Sequence, residues 1–404
     1  MRQPLRLTCE AATVASRIHI RAGMATDSSA DVVVVGGGVI GCMTAYELSR
    51  ANLRVTLLER GRLGAEASSA SGGILVPLHL AEDDTDDPVF KFQRASTYLF
   101  DALAPELEAE SGVRLEYVRS GIFRIAQSED EQELLEETFQ AWQSDAGMPV
   151  SWLDVDELHR LEPGFGPDVL GAIYSPDERT ISSVRLVESL GRILRARDVD
   201  VREGVPATGI RHAGQRVRAV ETPQGAIGTP EVVLTAGAWT GLYGHWFGLI
   251  LPIQPMRGQM IAVRPRAPVL GTPAVTYNGA ILPKPDGTVH LGSTLEDVGF
   301  DDRTTVEGIR GILEASPRVV PALADATLVR AWSGLRPWSA DGVPVIGRVP
   351  GWTGATIASG HFKYGISGSP GTGRAVRELI VDSRSDAAPA VMSPGRFAET
   401  QPVG

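Results

Sequence analysis

Cysteine is nearly missing from this chain: Cys9 and Cys42 are the two present in 404 residues. Two thiols exclude a disulfide framework and a cysteine-rich metal site, and they suit a reducing interior, so the cytoplasm is the expected compartment. Long hydrophobic runs are missing too. No uninterrupted apolar stretch approaches the roughly 20 residues of a membrane span. Cations are outnumbered, 38 Lys and Arg against 49 Asp and Glu, for a formal net charge of −11. That balance disfavours non-specific binding to nucleic acid or to an anionic membrane. If the substrate is an anion, the few cations must be gathered inside a pocket. The remainder is ordinary, with 43% hydrophobic and 22% charged residues. This is enough for a packed core in two domains or one large composite fold.

Residues 1–30 carry Arg2, Arg6, Arg17 and Arg21 against only Glu10 and Asp27. The pattern admits a transit-like leader, but an unstructured extension, with Met24 as a start just before the first strand, is the simpler expectation. Order begins with the apolar, β-branched run at 31–35, the mark of a strand buried on both faces. Glycines follow, then a helical stretch over 42–51 and a second buried strand over 53–59. Strand, turn, helix and strand make a βαβ unit. A polar, acidic loop at 82–88 ends this block. Helices are expected at 90–109, 129–142, 186–197 and 371–382, and strands at 115–125, 199–203 and 231–235. Residues 253–264, 280–283 and 288–292 alternate like antiparallel strands, with Asp286-Gly287 as a hairpin turn. No internal repeat is present. The order suggests a discontinuous nucleotide-binding domain (31–90, 160–245, 331–385) interrupted by a substrate domain (91–159, 246–330), with a disordered tail over 386–404.

The strongest motif is Gly36-Gly37-Gly38-Val39-Ile40-Gly41 directly after the first strand. Gly36 permits the tight turn, Gly38 lets a pyrophosphate approach the backbone, and Gly41 lets the helix sit close on the strand. The helix start, with Val39 and Ile40, offers free N–H groups and the positive end of the helix dipole to phosphate. Glu59 closes the second strand 23 residues after Gly36, where an acid can accept hydrogen bonds from a ribose, and Arg60 follows it. This pattern alone does not choose between NAD and FAD.

The rest of the chain does. Val232-Val233-Leu234-Thr235-Ala236-Gly237-Ala238-Trp239 is a late strand ending in small residues. Downstream come Gly334-Leu335-Arg336-Pro337, Asp341-Gly342-Val343-Pro344-Val345-Ile346-Gly347 and Gly360-His361-Phe362-Lys363-Tyr364-Gly365-Ile366. With Ser68-Ser69-Ala70-Ser71-Gly72-Gly73-Ile74 and Pro255-Met256-Arg257-Gly258-Gln259-Met260, the chain resembles the D-amino-acid oxidase family of flavoproteins, in its glycine oxidase and sarcosine oxidase branches. The resemblance covers most of 31–382. It implies an α/β fold, a Rossmann-like FAD-binding domain of the glutathione-reductase type with an inserted antiparallel-sheet substrate domain. It also implies a reaction in which a hydride equivalent leaves the substrate Cα–H for flavin N5. The imine is then hydrolysed, and O2 reoxidises the flavin with release of H2O2. The cofactor carries the electron chemistry, so the protein has mainly to orient and desolvate a small amine or amino acid.

Carried over residue by residue, the resemblance makes Arg336 the holder of the substrate carboxylate, since a guanidinium fork matches a carboxylate with two charge-assisted bonds. The segment Gly360, His361, Phe362, Lys363, Gly365 and Ile366 would pass N–H donors over the flavin pyrimidine edge, where negative charge develops on reduction. Ser69, Ser71, Gly73, Val205, Ala236, Gly237 and Gly334 complete the expected cofactor contacts. His361 is a candidate near the flavin, though a lone histidine is equally a hydrogen-bonded structural residue. His290 aligns loosely with an oxygen-activating lysine of sarcosine oxidases, against the simpler reading of a packed or solvated histidine.

Two departures bear on substrate. Glycine oxidases tend to have arginine where this chain has Lys363, and tyrosine where it has Ala280. Lysine is a point charge without a fork, and Ala280 removes a polar wall that Tyr277 or Trp338 would have to refill. The absence of cysteine after Cys42, with His79 out of register, points to non-covalent FAD. Three other readings compete: a dehydrogenase with another electron acceptor, a tailoring oxidase of a larger secondary-metabolite amine, and a non-catalytic nucleotide-binding protein. Retention of Arg336 and of the 360–366 loop speaks against the last. No metal site is expected, and the sequence leaves oligomeric state open, a homo-oligomer included.

Overall fold

The computed structural model describes residues 28–75, 86–144, 149–277, 279–384, 386 and 388–397. Met24, Cys9 and the remainder of the expected extension, most of the acidic loop and His79 lie outside the described residues. Four consecutive valines form the central strand Val32–Val35, buried on both faces. They sit in a six-stranded sheet between Val55–Glu59 and Val232–Leu234, both parallel. Asp200–Glu203 extends it on one side, and Ala355–Ser359 with the antiparallel edge Val345–Arg348 on the other. Helices Val39–Arg50, Pro88–Ser111, Ser183–Ala196 and Gly365–Val381 share one apolar cluster with Val32, Val34, Val55 and Leu57. The opposite face, with Val33, Val35 and Leu234, packs on Val217, Val220 and Ile227 of a four-stranded sheet. Covering on both sides is what a near-continuous run of β-branched residues requires.

The second body is an eight-stranded sheet in the order Thr327–Ser339, Ile253–Arg264, Val289–Gly292, Gly279–Pro283, Ala274–Thr276, Ile122–Ala126, Gly171–Ser175, Ser151–Leu153. Neighbours are antiparallel except Ala274–Thr276 with Ile122–Ala126. Asp286-Gly287 forms the hairpin turn, with Gly287 at φ 79° and the Lys284 N–H donating to the Thr288 carbonyl at 2.8 Å. Alternation divides this sheet. Ile261, Val263, Ile281 and Leu291 point into an apolar cluster that includes Ile312 and Val319 of helix Val306–Val319.

Several boundaries differ from expectation. Helix Pro88–Ser111, assigned to the substrate domain from its place in the chain, buries Phe100, Leu103, Ala104 and Leu107 in the core of the parallel sheet. Strand Gly171–Ser175, expected in the nucleotide domain, pairs into the eight-stranded sheet. The strand expected over 115–125 shrinks to Ile122–Ala126, because the chain before it makes only a bridge from Val118 to Thr180. Ser28–Ser29 pairs with Gly225–Gly228, so the expected extension is ordered from residue 28. The described part of the tail is also ordered: Met392 is fully buried beside Val89, Ile346 and Ala375, because the 388–397 segment supplies an apolar side chain to a gap between helices. The last helix begins at Gly365, six residues before the expected start, although Pro370 lies within it. Pro370 is the sixth helical residue and removes the N–H that would bond the Ile366 carbonyl; the Ser369 hydroxyl donates to that carbonyl instead, at 2.8 Å.

Candidate active site

Both bodies contribute to one cavity of about 950 Å³. Ligand sites run to roughly 300–1,000 Å³, so this volume lies at the large end and suits a ligand of dinucleotide size. Its floor on the parallel-sheet side is the glycine turn. Gly36 has φ 111°, and a Cβ there would run into the Thr235 carbonyl. A Cβ at Gly41 would overlap the Gly36 carbonyl, so helix Val39–Arg50 reaches its position only with glycine at 41. Gly38 is the helix N-cap and, with Val39 and Ile40, lines the cavity. The first N–H groups of a helix lack intrahelical partners, and here that end borders open space. Glu59 is buried and bridges the turn, accepting from Gly37 N–H through Oε2 and from Gly61 N–H through Oε1, each at 2.7 Å. Arg60 lies 3.7 Å over the Trp239 ring and pairs with Glu66. Ala236 and Gly237 (φ 53°) complete this wall.

The facing wall comes from the eight-stranded sheet and the turn before the last helix. Arg336 lies on Thr327–Ser339, opposite Met256. One of its nitrogens donates to Ser293 Oγ at 2.5 Å and another to the Thr294 carbonyl at 3.1 Å. Burial pulls its pKa down to about 10, with Glu296 opposing that shift. A Cβ at Gly258 would collide with the Arg336 guanidinium, so the glycine in Pro255-Met256-Arg257-Gly258-Gln259-Met260 clears its space. Arg257 turns the other way and binds Glu296 at 2.6 Å and Asp301 at 3.1 Å. Lys363 also lines the cavity, its pKa lowered by burial and then by Arg336. Among the described residues neither Arg336 nor Lys363 makes an ion pair.

His361 is fully buried, and burial pushes its pKa down to about 4. Its Nε2 lies 2.9 Å from Thr372 Oγ1, whose single proton goes to the Gly368 carbonyl at 2.8 Å. Thr372 can therefore only accept from the ring, which assigns the proton to Nε2 and leaves Nδ1 a lone-pair acceptor. That Nδ1 is buried without a partner. Phe362 follows at φ 48°, a left-handed conformation costing a non-glycine residue about 1–2 kcal/mol, and it turns the chain into helix Gly365–Val381. Phe362, Gly365 and Ile366 line the cavity, while Gly360 (φ 78°) sits behind it against Ser339.

Not every expected residue reaches the cavity. His290 does not line it: its ring packs edge-on against Trp332, and burial lowers its pKa to about 4, so it is no cation at neutral pH. Ser69 turns its hydroxyl back onto the Ala65 and Glu66 carbonyls; its neighbour Ser68 accepts from Val39 N–H at 3.0 Å instead. Ser71 and Gly73 line the cavity, as does Gly334, whose absent Cβ makes room for Ala70. Val205 is buried in the core behind, and Pro206 and Ala207 take the lining positions. Trp338 is not at the cavity, and Tyr277 stands at its edge 68% exposed, so neither refills the space beside Ala280. Residues missed from the sequence are Ser68, Met260, Ser293, Thr294 and, further out, Ile122, Arg124, Leu134, Leu135 and Val275. The hydroxyl pair after Gly292 at a strand end was the one available hint for Ser293 and Thr294. Cys42 is buried, which lifts its thiol to about 12 and removes it from chemistry.

A glycine cradle at a helix start, an acid closing the second strand and a cationic facing wall define a dinucleotide-dependent oxidoreductase. The glycine cradle opening on the cavity and the orphaned His361 Nδ1 both suit a bound flavin nucleotide. Residues 31–379 match the family model described as FAD dependent oxidoreductase. The glycine oxidase of Pseudomonas putida is 33% identical over 367 residues, 91% of this chain and 98% of that protein. The crystal structure of glycine oxidase from Geobacillus kaustophilus superposes with a TM-score of 0.86 at 31% identity, covering 93% of this chain and 100% of that one. Iminodiacetate oxidase from Chelativorans sp. gives 0.80 at 26% identity over 90% and 98% of the two chains. The chain belongs to the FAD-dependent oxidoreductase family of the D-amino-acid oxidase type, and FAD is its cofactor.

Proposed function

We propose that this enzyme oxidises the C–N bond of an amine bearing a carboxylate, an amino acid or N-substituted amino acid, with O2 as electron acceptor. The observation that carries the reading is the pair Arg336, half-buried, and Lys363, more exposed, two cations that line the same cavity as the glycine cradle and make no ion pair among the described residues. Bound FAD supplies the two-electron acceptor: the substrate loses a hydride from carbon and a proton from nitrogen to become an imine, O2 leaves as H2O2, and water hydrolyses the imine. The chain's own residues bind and orient. Ser293 Oγ and the Thr294 carbonyl fix the guanidinium plane, which leaves further N–H groups of this cavity-lining side chain for a carboxylate. Lys363 adds a point charge. FAD is held without a covalent bond, since Cys42 is buried within helix Val39–Arg50 and no cysteine follows it.

Similarity to glycine oxidases and to an iminodiacetate oxidase supports the small end of this substrate class. Among the described residues no helix is long and apolar enough to cross a membrane. The test is anaerobic addition of glycine, sarcosine, alanine enantiomers and iminodiacetate to the holoprotein while the visible flavin bands are followed, then admission of air. Bleaching, recolouring in air and H2O2 are expected. Arg336→Ala should retain FAD and lose 100-fold or more in kcat/KM, against about tenfold for Lys363→Ala, since removing a charged hydrogen-bonding partner costs roughly 1.5–3 kcal/mol and the fork makes two such bonds. Equal small effects would remove Arg336 from the substrate site.

A further inference from the structure

The cavity does not stop at Arg336. Beyond the dinucleotide and cationic walls it is lined by a third group from two elements: Ile122 and Arg124 of strand Ile122–Ala126, and Leu134 and Leu135 of helix Glu129–Ser144. The register of the eight-stranded sheet explains the connection. Met260 pairs with Gly292, Gly292 with Ala280, Ala280 with Val275, and Val275 with Arg124. Directly paired residues share a face, and all five line the cavity. The row therefore runs as a floor from the redox end to helix Glu129–Ser144. Its middle holds no side chain at Gly292 and a single methyl at Ala280.

With strands about 4.8 Å apart, Ala280 to Arg124 spans two spacings, roughly 10 Å. At the far end the charges are spent. Arg124 binds Glu178 through both nitrogens at 2.7 and 2.5 Å and lies 4.9 Å over the Trp142 ring. Glu131 accepts from the Gln127 N–H at 2.8 Å. What the extension offers a ligand is the half-buried apolar surface of Leu134 and Val275, backed by the buried Ile122 and Leu135. A substrate of glycine's size would leave all of it in contact with water.

We infer that the substrate carries an extended apolar substituent on the reacting carbon or its nitrogen, seated over Gly292 and Ala280 and ending between strand Ile122–Ala126 and helix Glu129–Ser144. The inference rests on the proposed oxidation of a carboxylate-bearing amine and names its substrate more narrowly. Ala280 sets the specificity: a larger side chain there closes the floor where it is open.

The experiment uses the holoenzyme and two homologous series, straight-chain 2-amino acids of both configurations and N-alkylglycines, with anaerobic flavin reduction and steady-state kcat/KM measured for each member. Apolar transfer is worth about fourfold per buried methylene, so kcat/KM should climb by roughly that factor per carbon along at least one series before levelling. Ala280→Phe and Leu134→Trp, which narrow the extension from opposite walls, should each cut the ratio of long- to short-chain kcat/KM at least tenfold while the flavin spectrum stays that of a folded holoprotein. Reduction by glycine or sarcosine with no gain from added carbons overturns the inference and leaves amine oxidation standing. A climb along a series that neither variant alters overturns the placement of the substituent. A flavin that no member of either series reduces removes both readings.

Discussion

His361 illustrates how one hydroxyl sets the chemistry of a ring. Because Thr372 spends its proton on Gly368, the imidazole keeps its own on Nε2 and leaves a bare, buried Nδ1. Protonating that nitrogen would bury an uncompensated charge, and this is why the pKa falls to about 4. The sign of the stability effect follows. The folded-state value lies below that of the unfolded chain, near 6.5, so the unfolded state binds more protons between the two. The contribution of a neutral His361 is complete above pH 6.5 and is lost as pH falls through about 4. Its size is on the order of 3 kcal/mol. Thermal unfolding of the holoprotein from pH 7 to pH 4 should show a fall in Tm that is shallower in His361→Gln; identical slopes would mean the ring is not held neutral.

At the scale of elements, the site depends on two adjacent strands in register. Ile253–Arg264 and Thr327–Ser339 pair from Ile253 opposite Ser339 to Arg264 opposite Thr327. That register sets Gly258 under the Arg336 guanidinium and sends Arg257 to the Glu296–Asp301 loop, whose neighbours Ser293 and Thr294 hold the guanidinium from the other side. Gly258→Val should therefore act through Arg336. We expect FAD content near normal and kcat/KM down about 10- to 100-fold, the loss of one charge-assisted contact; wild-type kinetics in that variant would show that the guanidinium can shift at no cost. The serine segment on the opposite wall is tied down similarly. Trp332 Nε1 donates to the Ala70 carbonyl at 3.1 Å and Lys284 Nζ to the Gly72 carbonyl at 2.8 Å. His290 serves this tie as a packing partner of Trp332.

For the whole molecule, the cavity lies between two sheets with separate cores, so its occupant joins them. A ligand that binds only the folded state stabilises it by mass action, about 2.7 kcal/mol at 100 times its Kd. Removing FAD by dialysis against chaotropic salt and adding it back in steps should raise Tm progressively. On the proposed non-covalent binding, acid precipitation should release all the flavin into the supernatant. Flavin retained on the precipitated chain would contradict that.

Much of this was written in local sequence. Four valines before Gly36-Gly37-Gly38 can only be a strand buried on both faces, and Glu59 at the next strand end is fixed by the length of the intervening helix and turn. Arg336, Lys363 and His361 stand out because their motifs are short and contiguous. Other features were beyond local reading. Ser68 replaces Ser69 because a one-residue rotation at a short helix, Ala67–Ala70, decides which hydroxyl meets Val39. His290 faces Trp332 because cross-strand neighbours, and not its own alternation, choose its surroundings. Met392 is buried by a gap between distant helices that no tail sequence reveals. The floor of Gly292, Ala280, Val275 and Arg124 joins strands separated by as many as 168 positions in the chain, and only hydrogen-bond register brings them into line. Local sequence determined the cofactor cradle, because its geometry depends on neighbours in the chain; tertiary pairing decided the size of the substrate's room, because its walls are neighbours only in space.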